Sequence, residues 1–367
     1  MNRMNNRIPR LAAFGLMLVA IAACTKTDIN PNDDLTNPSS GDPIAFETED
    51  PFTKAVVYDK DDLQVEGNSF LVWSWFQGTK DGRLFEQYGT PVTYAKDDDN
   101  VLNWTYGTPR YWMNGTYNFA AVYPSTVSGT YEPAENTTTP VILNVNDYNI
   151  ANQDDLLVAF YNRAYNGNDK SSVNFEFHHA LSRVKLQINL DEDDFYTEIK
   201  DDEGNITQEP TGYAYVSAVG FNNISKTASL SVTPSNESSW PLSSSNWSLS
   251  STKEDILIEY TGDNVIELDT EYTDLYGQDG LFAIPQVLDE SNPIELYFKV
   301  NLIFPGISSR TIVKEYNIAL NTLAIQEWEP NKVYLYYGTI NQEFEIQFNV
   351  VKVHDWEDDT LGGLIIN

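Results

Sequence analysis

Cysteine occurs once in the 367 residues, at position 24, and histidine only three times. A lone thiol excludes a disulfide framework and any CxxC metal or redox site. Stability must therefore come from packed cores. Basic residues are also scarce, 22 Lys and Arg against 54 Asp and Glu, for a formal charge of −32. Such a chain repels phosphate backbones, so no nucleic-acid partner is expected. It also repels an anionic membrane surface, and its acids keep it dispersed in water. The GxSxG, HExxH and P-loop patterns are absent. Few histidines and no second thiol leave few nucleophile–base pairs, so no enzyme, no cofactor and no metal site is expected. Two acidic stretches, 97–100 and 191–212, lack the spacing of a calcium loop and are expected to be solvated loops. Long apolar runs are missing too. The only one, Leu11–Ala23, is thirteen residues, short of the roughly 20 that span a bilayer.

That run has a different meaning. Arg3, Arg7 and Arg10 precede it with no acid among them, and Ala22 and Ala23 lead into Cys24. A basic start, a short apolar centre and small residues before a cut describe a signal peptide, here residues 1–23. The segment Ile21-Ala22-Ala23-Cys24 resembles a bacterial lipobox, in which the cysteine thiol is lipidated and the signal is cut before it. Lipoprotein signal peptidase and export machinery are the implied partners, and acyl chains would supply the anchoring that charge cannot. Residues 25–43 are rich in Pro, Asn, Asp and Ser and are expected to form a flexible tether. A short alternating segment, Ile44 to Thr48, can form one strand before the break at Asp50-Pro51.

From Val56 onward the chain has a β character. Aromatics make up 13% of the residues, and turn residues recur at short intervals, the profile of an all-β sandwich protein. In 70–76 both parities are apolar, so both faces of that strand should be covered. Leu71, Trp73 and Trp75 share one face, and Phe70, Val72 and Phe76 the other. Val101 to Trp104 and Arg110 to Met113 flank a turn at 106–109. The run 173–190 is apolar on one parity through His179 and on the other from Val184. A bulge or a break between sheets would produce that switch. His178 and His179 sit at the switch. Neighbours in a strand face opposite ways, so a packed histidine is expected there and not a ligand pair. The second half repeats the pattern, with clean alternation over 294–304 and a last strand over Phe344 to Val353. No helix of 12 residues is expected beyond the signal.

Several stretches form an ordered set. They are the lipobox, Ile44-Ala45-Phe46 before Thr53-Lys54-Ala55, residues 115–124, 175–184, 283–286 and 328–334, and Val353-His354-Asp355-Trp356. In order and spacing they resemble the fimbrillin family, lipoproteins that act as type V pilus subunits, and in particular its minor-fimbrillin-like (Mfa-like) branch. The resemblance implies two transthyretin-like β-sandwich domains in tandem, 55–192 and 193–367, after a tether and removable first strand over 24–54. It implies display at the outer membrane as a lipoprotein acylated (palmitate) at Cys24. A maturation protease of trypsin-like specificity would then cut between Lys54 and Ala55, where many members offer arginine. The removed strand would carry Ile44, Phe46 and Thr48. A terminal strand of another subunit would fill the vacated groove, the donor candidates here being Phe344, Ile346, Phe348, Val350, Val353 and Trp356. Partners would be other fimbrillin subunits and a host or bacterial surface ligand. Asp359-Thr360-Leu361 also resembles an O-glycosylation signal. A second reading is a surface-anchored glycan-binding lipoprotein, with Trp73, Trp75, Trp104 and Trp112 stacking on sugars if they are exposed in a row.

Overall fold

The structure, a computed structural model, describes residues 41–49, 63–97, 99–133, 141–169, 171–200, 204, 206–234, 242–277, 280–289, 291–304, 310–323, 325–341, 343–348 and 351–356. Among them the protein is nearly all strand. The longest helix is one turn, Glu192–Phe195, capped by the Asp191 side chain, which accepts from the Asp193 amide at 3.1 Å. Three acids in its first turn suit the positive end of the helix dipole. The described part of 191–212 is thus more ordered than its composition suggests, because Tyr196–Lys200 and Ile206–Pro210 pair antiparallel.

A seven-stranded sheet organises the first half. Its order is His178–His179, Leu157–Tyr165, Gly115–Tyr123, Ser69–Gln77, Thr90–Lys96 and Leu102–Thr105, with Gly82–Arg83 added on Ser69–Gln77. Ser69–Gln77 is buried on both faces, as its double apolar parity predicts. Leu71, Trp73 and Trp75 enter one core, and Phe70, Val72 and Phe76 enter another. The core on the Leu71 side continues into a four-stranded sheet of Trp247–Leu249, Thr227–Val232, Val141–Asn149 and Ser128–Pro133. It extends further between two sheets of the second half. One is centred on Ser182–Leu190 and Lys332–Ile340, and the other on Tyr213–Ile224 and Glu295–Phe304. Glu295–Phe304 buries every second residue through Leu302, as its alternation predicts.

The run 173–190 resolves into three strands in three different sheets. Val173–Glu176 pairs with Phe46–Glu49, His178–His179 with Leu157–Tyr165, and Ser182–Leu190 with Lys332–Ile340. The change of parity is therefore a passage between sheets. Ser182–Leu190 lies before the expected division at 192/193, and its ladder partners lie beyond it, at 273–274, 281–283 and 333–340. Hydrogen bonding crosses the same point between Val141–Asn149 and Thr227–Val232.

Two local expectations change. Residues 110–113 do not pair back on Leu102–Thr105. Tyr111 instead bridges Pro43, because the first strand lies alongside. In the segment 344–353 the described strand residues are Ile346–Phe348 and the start of Lys352–Asp355, both paired antiparallel with Lys332–Ile340. Its start is a turn in which the Asn341 side chain accepts from the Glu343 and Glu345 amides, and Phe344 takes a left-handed φ of 58°.

Candidate assembly groove

The first strand is an insert held on both flanks. On one side Phe46–Glu49 runs parallel to Val173–Glu176, with Phe46 opposite Val173 and Thr48 opposite Phe175. The Val173 amide donates to the Ala45 carbonyl at 2.8 Å. On the other side the Ile44 amide donates to Arg110 O at 2.8 Å and the Trp112 amide to Asp42 O at 2.9 Å. With strand period two, Ile44, Phe46 and Thr48 point inward and are 2%, 3% and 2% exposed, while Ala45 and Glu47 face outward and are exposed.

Ile44 and Phe46 enter the core that also holds Phe70, Val72 and Phe76, and Thr48 is buried in line with them. Phe46 lies in an aromatic box, stacked on Phe175 with centroids 5.7 Å apart and tilted against Tyr106 at 5.4 Å and Phe85 at 5.9 Å. The Thr48 hydroxyl accepts from Gln64 Nε2 at 3.0 Å. The Tyr106 hydroxyl donates to the Ile44 carbonyl at 2.7 Å. Burial raises the Tyr106 pKa, so this phenol stays protonated and remains a donor. Below the box, burial pushes Tyr117 up to about 12, and its hydroxyl donates to Met113 O. Where the strand begins, Tyr165 donates to the Asp42 carboxylate at 3.1 Å. Tyr165 stacks on Trp112, and the Arg163 guanidinium sits 4.4 Å over the Trp112 ring. Burying a side chain such as Ile or Phe contributes about 1.5–3 kcal/mol each, so the insert is a strong non-covalent plug.

The tail is placed elsewhere. Phe344, Ile346 and Phe348 are half-buried and Val353 is exposed, while Trp356 is fully buried. Trp356 lies flat on His179, with centroids 3.9 Å and planes 4° apart, and also stacks near Phe282 at 5.6 Å. His179 Nδ1 is 2.6 Å from the buried Asp155 carboxylate. His179 is thus a packed and partnered histidine, and His178 lies 3.6 Å from Glu176. Among the described residues no group of three metal-ligating side chains converges. In the acidic loop at 97–100, the Asp97 carboxylate accepts from the Val101 and Asp99 amides and from Asn103, and these bonds, the Val101 amide first, lower its pKa. This carboxylate closes its own loop.

The four tryptophans considered for sugar stacking are core residues. Trp73, Trp75, Trp104 and Trp112 are 1%, 0%, 8% and 6% exposed, so they form no exposed row. Both parities of the strand that carries Trp73 and Trp75 face a packed layer, and Trp104 and Trp112 turn into the core on the Phe70 side, which removes the aromatic platform. Cys24, Lys54, Ala55, Val350 and Thr360 lie outside the described residues. Sequence reasoning found the inserted strand but not its pocket. Tyr106 sits in what reads as a plain turn, and Phe85 and Gln64 carry no periodic signal.

The sequence model of a family described as fimbrillin-like matches residues 53–356. No curated protein matches the chain significantly. Among solved structures, a fimbrial protein from Bacteroides vulgatus is similar at 13% identity and a TM-score of 0.48, over 86% of this chain and 99% of that one. A candidate cell adhesion protein from Bacteroides uniformis is similar at 15% identity and a TM-score of 0.45, over 87% of this chain and 99% of that one.

Proposed function

This chain belongs to the fimbrillin-like family, and from that premise we propose that it is a structural and adhesive subunit of a cell-surface fimbria. It is a binding and building protein and not an enzyme. The subunit is exported as an outer-membrane lipoprotein on Cys24 and is held monomeric by its own first strand. A protease of trypsin-like specificity cuts after Lys54. The segment carrying Ile44, Phe46 and Thr48 then leaves, and a strand from the tail of another subunit takes its place. A backbone ladder provides affinity in such an exchange, and alternate side chains provide specificity.

The observation that carries this reading is the plug itself. Its inward residues are 2–3% exposed and it is hydrogen-bonded on both flanks. An empty groove would expose an aromatic box, the unpaired edge of Val173–Glu176 and the backbone of 110–112, a surface that recruits a replacement strand. Amino-terminal sequencing of sheared surface filaments tests the proposal. Polymer beginning at Ala55 is the expected result, and polymer beginning at an acylated Cys24 would overturn it.

A further inference from the structure

The second half leaves one of its sheets with a long open edge. Arg310–Ala319 runs antiparallel to Glu295–Phe304 with no register shift, and among the described residues it has no second neighbour. An unpaired edge is a template for another strand, and proteins commonly blunt such edges by shortness, a proline or a bulge. Among the described residues every other strand that ends a sheet has six residues or fewer, and Ser128–Pro133 closes on a proline. Arg310–Ala319 has ten residues, no proline and no bulge. One bond shows where its backbone groups point. The Leu320 amide donates to the Ile294 carbonyl at 2.9 Å, which makes Glu295 and Ala319 a non-hydrogen-bonded pair. Bonded and non-bonded pairs alternate along an antiparallel ladder. The even-numbered residues from Arg310 to Ile318 therefore bond to Glu295–Phe304. Thr311, Val313, Glu315, Asn317 and Ala319 aim their N–H and C=O groups at the open side. The first four of these are exposed, and Val313 is an exposed apolar side chain in mid-strand.

Charge selects the partner. Glu315 is already paired with Lys299 at 3.0 Å. Arg310 and Lys314 are exposed and have no ion pair among the described residues, and the Lys314 ammonium lies 5.9 Å from the Tyr316 ring. The two cations share one parity of the strand. This edge thus presents two uncompensated positive charges in a chain of 22 basic and 54 acidic residues. Basic side chains on an edge discourage pairing with an identical edge, and they favour a strand with carboxylates directly opposite. We propose that Arg310–Ala319 is a docking edge for an extended acidic strand of a partner protein. Two carboxylates four residues apart on that strand face Lys314 and Arg310, and an apolar residue midway between them faces the half-buried Ile312. This edge belongs to a different sheet from the first-strand groove, and its use requires no cleavage of the chain.

Peptide binding to the full, uncut chain tests the assignment. The probe is a blocked peptide that alternates threonine with, in turn, valine, glutamate, valine and glutamate, and a control peptide carries lysine in place of each glutamate. The glutamate peptide should slow amide exchange at Thr311, Val313, Glu315 and Asn317, and leave Ile312 and Lys314, already in the ladder, unchanged. The lysine peptide should slow none of them. Fluorescence anisotropy should show the glutamate peptide bound about tenfold more weakly by Lys314→Glu. Val313→Pro, which removes an N–H that the ladder does not use, should abolish binding. Lys314→Glu changes only an exposed side chain and carries the test if Val313→Pro fails to fold. Equal slowing by both peptides would overturn the acidic partner. Binding that leaves the four amides unchanged would overturn the edge as the site. Slowing at those amides that grows with protein concentration and no peptide would replace the acidic partner with a second copy. No binding of the glutamate peptide would overturn the proposal outright.

Discussion

At the scale of single residues, two aromatic side chains fix two separate ends of the chain. Phe46 fixes the first strand in its box, and Trp356 fixes the tail between His179 and Phe282. Large-to-small changes at buried aromatics cost about 3–5 kcal/mol. Phe46→Ala and Trp356→Ala should each lower stability by about that much, seen as a lower urea midpoint with little change in slope. The two variants should differ in what they loosen. Phe46→Ala should speed amide exchange at Val173 and Ile44, and Trp356→Ala should speed it at Tyr334 and Val353, which face each other in the last ladder. Asp155 was invisible in the sequence as the partner of His179, since an acid 24 positions away has no local signature. The burial of His179 itself was legible from the change of parity around it.

At the scale of strands, alternation predicted which side chains turn inward but not which strands become neighbours. The two faces of Ser69–Gln77 and the alternation of Glu295–Phe304 follow from period two alone. The pairing of Ser182–Leu190 with Lys332–Ile340 does not, because a parallel ladder between distant segments depends on the whole fold and leaves no mark in either strand. For the same reason the partner of residues 110–113 was missed. The Gly220 position shows how tight these ladders are. A Cβ there would lie 1.7 Å from the Ile256 carbonyl oxygen, so Gly220→Ala must push the Glu254–Glu259 strand aside. Overpacking of this kind costs about 1–3 kcal/mol. Thermal unfolding should register that loss, and exchange at Ile256 and Ile258 should rise more than at the Glu295–Phe304 strand on the other flank.

At the scale of the whole molecule, tyrosine and acid content set the response to solvent. Several buried phenols titrate late. Burial pushes Tyr117 and Tyr334 up to about 12 from an ordinary 10.0. A phenol pKa raised by folding favours the protonated native state. That contribution is intact below about pH 10 and is lost as pH rises through about 12. Ultraviolet absorbance of phenolate should therefore lag behind that of free tyrosine and then rise together with loss of near-ultraviolet circular dichroism. The −32 charge acts on association instead. Raising salt from 0.01 to 0.15 M shortens the screening length from about 30 to about 8 Å. Cut subunits should self-associate faster at the higher salt, as light scattering would show. Finally, the run 173–190 passes between three sheets with only Phe177, Ala180 and Leu181 outside ladders, and all three are buried. There is no slack in it to act as a hinge. Load carried by one half is passed to the other along this taut backbone and through the ladder between Val141–Asn149 and Thr227–Val232, so the subunit should behave as a stiff beam rather than as beads on a string.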